Sequence, residues 1–203
     1  MEEISIEPMK REEIPAVGQL VGRVMATTPI HAAVFGGNAE EVLLRQEEMF
    51  LLTFQHHPGQ TFVTKRAGQI IGAYRMIKWP ACQVTPDEAR RVGPLMKKVL
   101  KDSLGRVREW VSVWSAEDPP ASHWHLGPIV VEARSQRQGI GSRMLEHFCR
   151  KVDQNREAAY LETDLAGNVR LYRRFGFHLT REVDLFGVAN YFMWRAPDRS
   201  GQA

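Results

Sequence analysis

Apolar positions along the chain fall into two periods. Ile4-Ser5-Ile6-Glu7 alternates, which predicts a short strand ended by Pro8. From 11 to 25, Ile14, Val17, Leu20, Val21 and Val24 recur every three or four positions, the spacing of a helix with one buried face. Thr27-Thr28-Pro29 breaks it. Gly36-Gly37-Asn38 reads as a loop in which Asn38 can cap a second helix over 39–55, apolar at Val42, Leu43, Met49, Phe50 and Phe54. After His56-His57-Pro58-Gly59, alternation returns over 61–65 and 69–79, two strands joined as a hairpin at Ala67-Gly68. Helical spacing resumes over 86–104 and 106–115.

The second half alternates the periods again. Residues 123–131 form a strand interrupted at Gly127-Pro128, where proline cannot donate to a ladder, so a bulge or splay is expected. A helix over 139–152 carries the stripe Ile140, Met144, Leu145, Phe148 and Val152. A strand over 158–163 and a short helix over 168–175 follow, with Gly176 suited to the helix end. Strands over 177–184 and 190–195 close the pattern, and a polar tail, 196–203, is expected to be mobile. This order predicts an α/β (α+β) chain around one mixed sheet, a single domain over 1–203 with a helical insertion at 86–115.

Composition narrows the function classes. Hydrophobic residues make up 43% and charged residues 25%, enough for a packed core. The net charge of +3 suits a small polyanionic ligand, and no run of like charge marks a nucleic-acid tail. Cys82 and Cys149 are too few for a disulfide framework, which points to a reducing, cytoplasmic setting. Neither a leader peptide nor a membrane span is expected, and no cysteine or histidine spacing suggests a zinc site.

Three groups of residues could carry chemistry. Gln136 to Ser142 lies between a strand and a helix, where glycines and unpartnered first-turn amides can cradle an anion; the other reading is a tight turn. Glu162 sits within a strand, with Leu161 and Thr163 on the opposite face. A carboxylate there must be paired, with Arg170 or Arg174, or functional. His123 and His125 share one strand face and are rival bases or substrate contacts. Asn168 and Tyr172, four apart, share a helix face; a capping asparagine and a core tyrosine are the structural alternatives.

Gln136-x-x-Gly139-x-Gly141 resembles the acetyl-CoA pyrophosphate loop of the GNAT N-acetyltransferase superfamily. Leu161-Glu162-Thr163, then Asn168-x-x-x-Tyr172-x-x-Phe175-Gly176-Phe177, resembles a later motif of the same superfamily. His123-Trp124-His125-Leu126 is similar to the central strand of puromycin N-acetyltransferase-like bacterial enzymes. The resemblance runs from about His123 to Phe177 and is only architectural before that. It implies a mixed, mostly antiparallel twisted sheet, flanked by helices and splayed at its central strands.

It also implies a set of roles. Gln136, Arg137, Gln138, Gly139, Ile140, Gly141 and Ser142 would hold the pyrophosphate. Beside the resemblance, Arg137, Arg173 and Arg174 could meet the phosphates by charge-assisted bonds or form a solvated basic face. The backbone of Ile129, Val130 and Val131 would pair with the pantetheine arm, and the Ile129 amide would meet the oxyanion. Asn168 would contact pantetheine, and Tyr172 would contact the cofactor and protonate the departing thiolate. From its place within a strand, Glu162 is expected as the general base, directly or through water. The expected function is acetyl transfer from acetyl-CoA to a primary amine of a small molecule, such as an antibiotic or other xenobiotic. Direct attack in a ternary complex is expected, since neither cysteine lies in the matching motifs. A protein or peptide acceptor, or a non-catalytic acyl-CoA sensor, are the alternatives. Expected partners are acetyl-CoA and the amine, without nucleic acid or membrane, in a monomer or homodimer.

Overall fold

In a computed structural model that describes residues 3–37 and 39–198, the strands form one seven-stranded sheet. They are β1 (Ile4–Pro8), β2 (Gln60–Arg66), β3 (Gln69–Lys78), β4 (His123–Val131), β5 (Ala158–Thr163), β6 (His178–Leu185) and β7 (Val188–Arg195), in the order β1-β2-β3-β4-β5-β7-β6. Only β4 and β5 run parallel. The sheet is therefore mixed and mostly antiparallel, as expected. Asn38 and residues 199–203 lie outside the described residues, and with them the expected cap and most of the tail.

Each face of the sheet carries its own core. On one face α6 (Ile140–Gln154) and α7 (Ala166–Arg173) pack Met144, Leu145, Phe148 and Tyr172 against Tyr74, Leu126 and Leu161. On the other, α1 (Ile14–Met25), α2 (Pro29–Phe35), α3 (Glu40–His56), α4 (Pro86–Leu100) and α5 (Leu104–Glu117) cover Val63, Ala73 and Val130. The backbones of α1 and α3 touch, because a Cβ on Gly22 would stand 2.5 Å from the Glu47 Cα.

The helix α2 was not legible in the hydrophobic pattern. Pro29 occupies its first turn, where a missing N–H costs nothing. Asp164, far along the chain, accepts from the Ile30 amide at 2.7 Å and caps that turn. The segment expected as one helix over 86–104 ends at Leu100, and Lys101–Ser103 turn the chain into α5. Trp110 packs on His31 in the core, and Trp114 donates to Asn190. The short helix expected over 168–175 starts at Ala166, so Asn168 is its third residue and not its cap. No helix of the described residues is long and apolar enough to cross a membrane.

A candidate active site where two central strands part

The site begins with an irregularity in β4. Tyr74 pairs with Ile129 and Met76 with Leu126, so Gly127 and Pro128 face Arg75 alone, a bulge at the place the sequence marked. Beyond it, β4 leaves β5. The two strands pair only at His123↔Ala158, Trp124↔Ala159 and His125↔Tyr160. From Leu126 onward β4 has no neighbour on that side, and the sheet opens as a splay.

Ladder alternation tells which peptide groups face the gap. Glu132 N donates to Ile71 O at 2.8 Å, so that pair is hydrogen-bonded. The next pair, Val131 with Gly72, therefore is not, and Val131 turns its N–H and C=O away from β3. By the same count Val130 is used by β3, and Ile129 again faces the gap. Ile129 and Val131 thus present an unpaired strand edge to the splay. Val130 does not, which removes it from the backbone contacts expected of 129–131. Gln136 Nε2 donates to Val131 O at 3.0 Å, at the mouth of the gap.

The glycine loop leads from this edge into α6. Arg137 and Gly139 both take left-handed backbone, at φ 59° and 79°. No side chain caps α6, and its first internal bond is Arg143 N to Gly139 O. The amides of Ile140, Gly141 and Ser142 are the unpartnered first-turn donors. A Cβ built on Gly139 or Gly141 meets nothing within 4 Å. Gly139 needs to be glycine for its φ. Gly141 has no such need, and the open space in front of the amides is what its missing side chain leaves clear. Gln138 braces the loop by accepting from Arg66 and donating to the Arg134 carbonyl. These features fit a phosphate-bearing ligand. A cleft of about 540 Å³ beside α1 shares Gln136 with the loop but none of the titratable groups below.

At the apex of the splay His125 Nε2 and Glu162 Oε2 lie 2.7 Å apart. The Glu162 side chain is 3% exposed and that of His125 19%. The two rivals of the sequence are therefore one pair, and neither Arg170 nor Arg174 holds the carboxylate. Burial works against charge on His125, yet Glu162 opposes it and pushes the imidazole up to about 10. Gly127 stands over this contact, since a Cβ there would come 3.7 Å from His125 Nε2.

Tyr172 and Asn168 lie on α7, the helix that follows β5. Tyr172 belongs to the core on the α6 side, whereas Glu162 faces away from Leu161 toward the other side. The carboxylate and the phenol thus lie on opposite faces of the sheet. Burial, then Asp164, raises the Tyr172 pKa, so the hydroxyl stays protonated. Asn168 Nδ2 reaches Thr163 Oγ1 at 3.5 Å, a marginal contact that ties α7 to the end of β5. Arg137, Arg173 and Arg174 are exposed around the mouth.

The sequence missed a second group on the His125 side. Cys82, Asp118 and His123 converge with their donor atoms within 4.8 Å of one another. Cys82 Sγ donates to Asp118 Oδ2 at 3.2 Å, and Gln83 Nε2 donates to the same oxygen. His123 is fully buried; burial lowers its pKa, but Asp118 and Cys82 together raise it to about 9. Tyr160, beside both histidines, has a buried hydroxyl without a partner. No local signal joins residues 82, 118 and 123; only the β3–α4 and α5–β4 loops folding over the sheet bring them together.

Solved structures share this architecture across nearly the whole chain. One described as histone acetyltransferase HPA2 and related acetyltransferase, from Corynebacterium glutamicum, superposes with a TM-score of 0.71 at 19% identity, covering 98% of both chains. The ribosomal-protein-S18-alanine N-acetyltransferase of Escherichia coli gives 0.58 at 16%, covering 98% of this chain and 97% of its own. The yncA protein of Salmonella typhimurium, solved with its cofactor acetyl-CoA, gives 0.58 at 14%, covering 97% and 95%. At such identities the likeness is one of fold. The sequence itself carries the stronger statement, because the model of the acetyltransferase (GNAT) family matches residues 29–177, which include the splayed strand, the glycine loop and the α7 motif. The chain belongs to the acetyltransferase (GNAT) family.

Proposed function

We propose that the chain transfers acetyl from acetyl-CoA to a primary amine of a small molecule, by direct attack within a ternary complex. Family membership supplies the acetyl donor. The observation that carries the rest is the His125–Glu162 pair at the apex of an unpaired strand edge.

The amides of Ile140, Gly141 and Ser142, in the loop that begins at Gln136, would hold the pyrophosphate. Ile129 and Val131 would take the pantetheine arm as an added strand, beside Asn168. Acetyl-CoA, when bound, supplies an activated thioester carbonyl. The Ile129 N–H, fixed in direction by the β3 ladder, is the donor for charge developing on that carbonyl oxygen. Glu162, with Oε2 held by His125, accepts the proton of the attacking amine. Tyr172, protonated and on the other face, gives its hydrogen bond to the departing sulfur.

A small acceptor is favoured by enclosure. The face where the amine would arrive is lined by His125, Tyr160 and Glu162, with the Glu162 side chain 3% exposed and the loops that carry Cys82 and Asp118 on the same side. Direct attack fits the placement of Cys82, whose thiol is engaged with Asp118. Release of free thiol from acetyl-CoA, measured over a panel of small amines and peptides, tests the proposal. Turnover with a small amine supports it. Turnover with peptides alone makes the chain a protein N-acetyltransferase, and binding without turnover makes it an acyl-CoA sensor.

A further inference from the structure

We propose that Cys82, Asp118 and His123 form a binding site for one divalent metal ion of the zinc class, two residues along β4 from His125. The site is separate from the acetyl-transfer reading and does not depend on it.

Three observations carry it. The thiol, carboxylate and imidazole donor atoms lie within 4.8 Å of one another. Donors around tetrahedral zinc stand roughly 3.3–3.8 Å apart, given bonds of about 2.0–2.3 Å, so modest shifts would bring all three onto one ion. Second, His123 is oriented as a ligand. Its Nδ1 lies 2.7 Å from the Ala121 carbonyl, which accepts the Nδ1 proton and leaves Nε2 to face the cluster. A backbone carbonyl on the far nitrogen is the outer contact that metal-bound histidines commonly make. Third, the inner atoms have only each other. His123 Nε2 and Asp118 Oδ1 lie 2.9 Å apart, an ion pair when the imidazole is protonated, and neither buried atom makes a hydrogen bond. An imidazole lone pair facing a carboxylate oxygen in a wholly buried ring calls for a proton or a cation between them.

Ligand chemistry selects the ion. A thiolate and an imidazole beside one carboxylate suit zinc or cobalt, whereas magnesium and calcium want oxygen donors alone. Gln83, which donates to Asp118 Oδ2, would orient the carboxylate. The ion would join the loop before α4 and the loop after α5 to β4. It would thereby fix the wall on the histidine side of the splay and leave a fourth position open.

The test uses the full chain stripped of metal with a chelator. Cobalt(II) is titrated and followed by absorption, and zinc(II) affinity is measured by competition with a chromophoric chelator. The expected result is one cobalt per chain, with a thiolate-to-cobalt charge-transfer band and tetrahedral d–d bands, both displaced by zinc. Cys82→Ser should lose the charge-transfer band and Cys149→Ser should keep it. Asp118→Asn and His123→Gln should weaken zinc binding by more than the roughly 10–100-fold that loss of an outer contact costs. Absence of stoichiometric binding overturns the proposal, as does a band that survives Cys82→Ser and vanishes in Cys149→Ser. If His123→Gln does not fold, Cys82→Ser decides, because that exchange removes only a partly buried thiol and one hydrogen bond.

Discussion

Replacing Gly141 with leucine should make the free protein more stable and its cofactor site worse. Gly141 is the second residue of α6, has no positive φ, and a Cβ there meets nothing within 4 Å. Leucine therefore gains helix propensity over glycine, about 0.8 kcal/mol, without a clash. For a chain of this size that raises Tm by roughly 2 °C. A helical side chain leans toward the N-terminus, so the new leucine would cover the loop and the amides of Ile140 to Ser142. Loss of two charge-assisted amide–phosphate bonds, at about 1.5–3 kcal/mol each, weakens acetyl-CoA binding by roughly 10²- to 10⁴-fold. Thermal unfolding with and without acetyl-CoA reads both effects. At about 100 times Kd the wild type gains roughly 2.7 kcal/mol from its ligand, and the variant should gain almost none. Gly139→Ala is the contrast, because at φ 79° an alanine costs about 1–2 kcal/mol and Tm should fall. A Gly141→Leu protein that keeps the full acetyl-CoA shift would refute the assignment of these amides to phosphate.

Two further outcomes follow from the same contacts. Asp164→Ala removes the long-range cap on α2 and should cost about 0.5–2 kcal/mol in chemical denaturation, whereas Asp164→Asn should recover most of it; equal losses in both would show that the cap is not the reason. Stability against pH should peak near 6.5. Burial lowers the His31 pKa to about 4, so the unfolded chain takes up its proton first, and stability is lost as pH falls from about 6.5 toward 4. His125 is the opposite case. Against burial, Glu162, Cys82 and Asp118 push it up to about 10, so its contribution is complete below about 6.5 and is lost as pH rises to 10. Tm measured from pH 4 to 10 should fall on both sides, with His123, raised to about 9, adding to the alkaline limb, and Glu162→Gln should make that limb shallower; a wild-type limb already flat from 6.5 to 10 would contradict the charge on the pair.

Much of this was legible in residue order, for physical reasons that can be named. The stripe Ile140, Met144, Leu145, Phe148 and Val152 is local and strong, and α6 follows it. Gly127-Pro128 announced the bulge, because a residue without an N–H cannot serve a ladder. Glu162 stood out as a carboxylate in a strand. What pairs with it could not be read, since His125 lies on another strand and meets it only through the parallel register. α2 escaped because its cap is Asp164, a tertiary contact that leaves no trace beside Pro29. Val130 was taken together with its neighbours, yet ladder parity separates it from Ile129 and Val131. Cys82 was set aside for lying outside the motifs, and folding returned it to the histidine face.

In the proposed mechanism Glu162, held by His125, takes the proton of the acceptor amine in the splay. The most direct test of that step is kcat for thiol release at saturating acetyl-CoA and amine, compared between wild type and Glu162→Gln, with acetyl-CoA binding measured alongside. The predicted result is a fall of about 10²–10⁴-fold in kcat with cofactor affinity retained. A variant that turns over at the wild-type rate contradicts the claim.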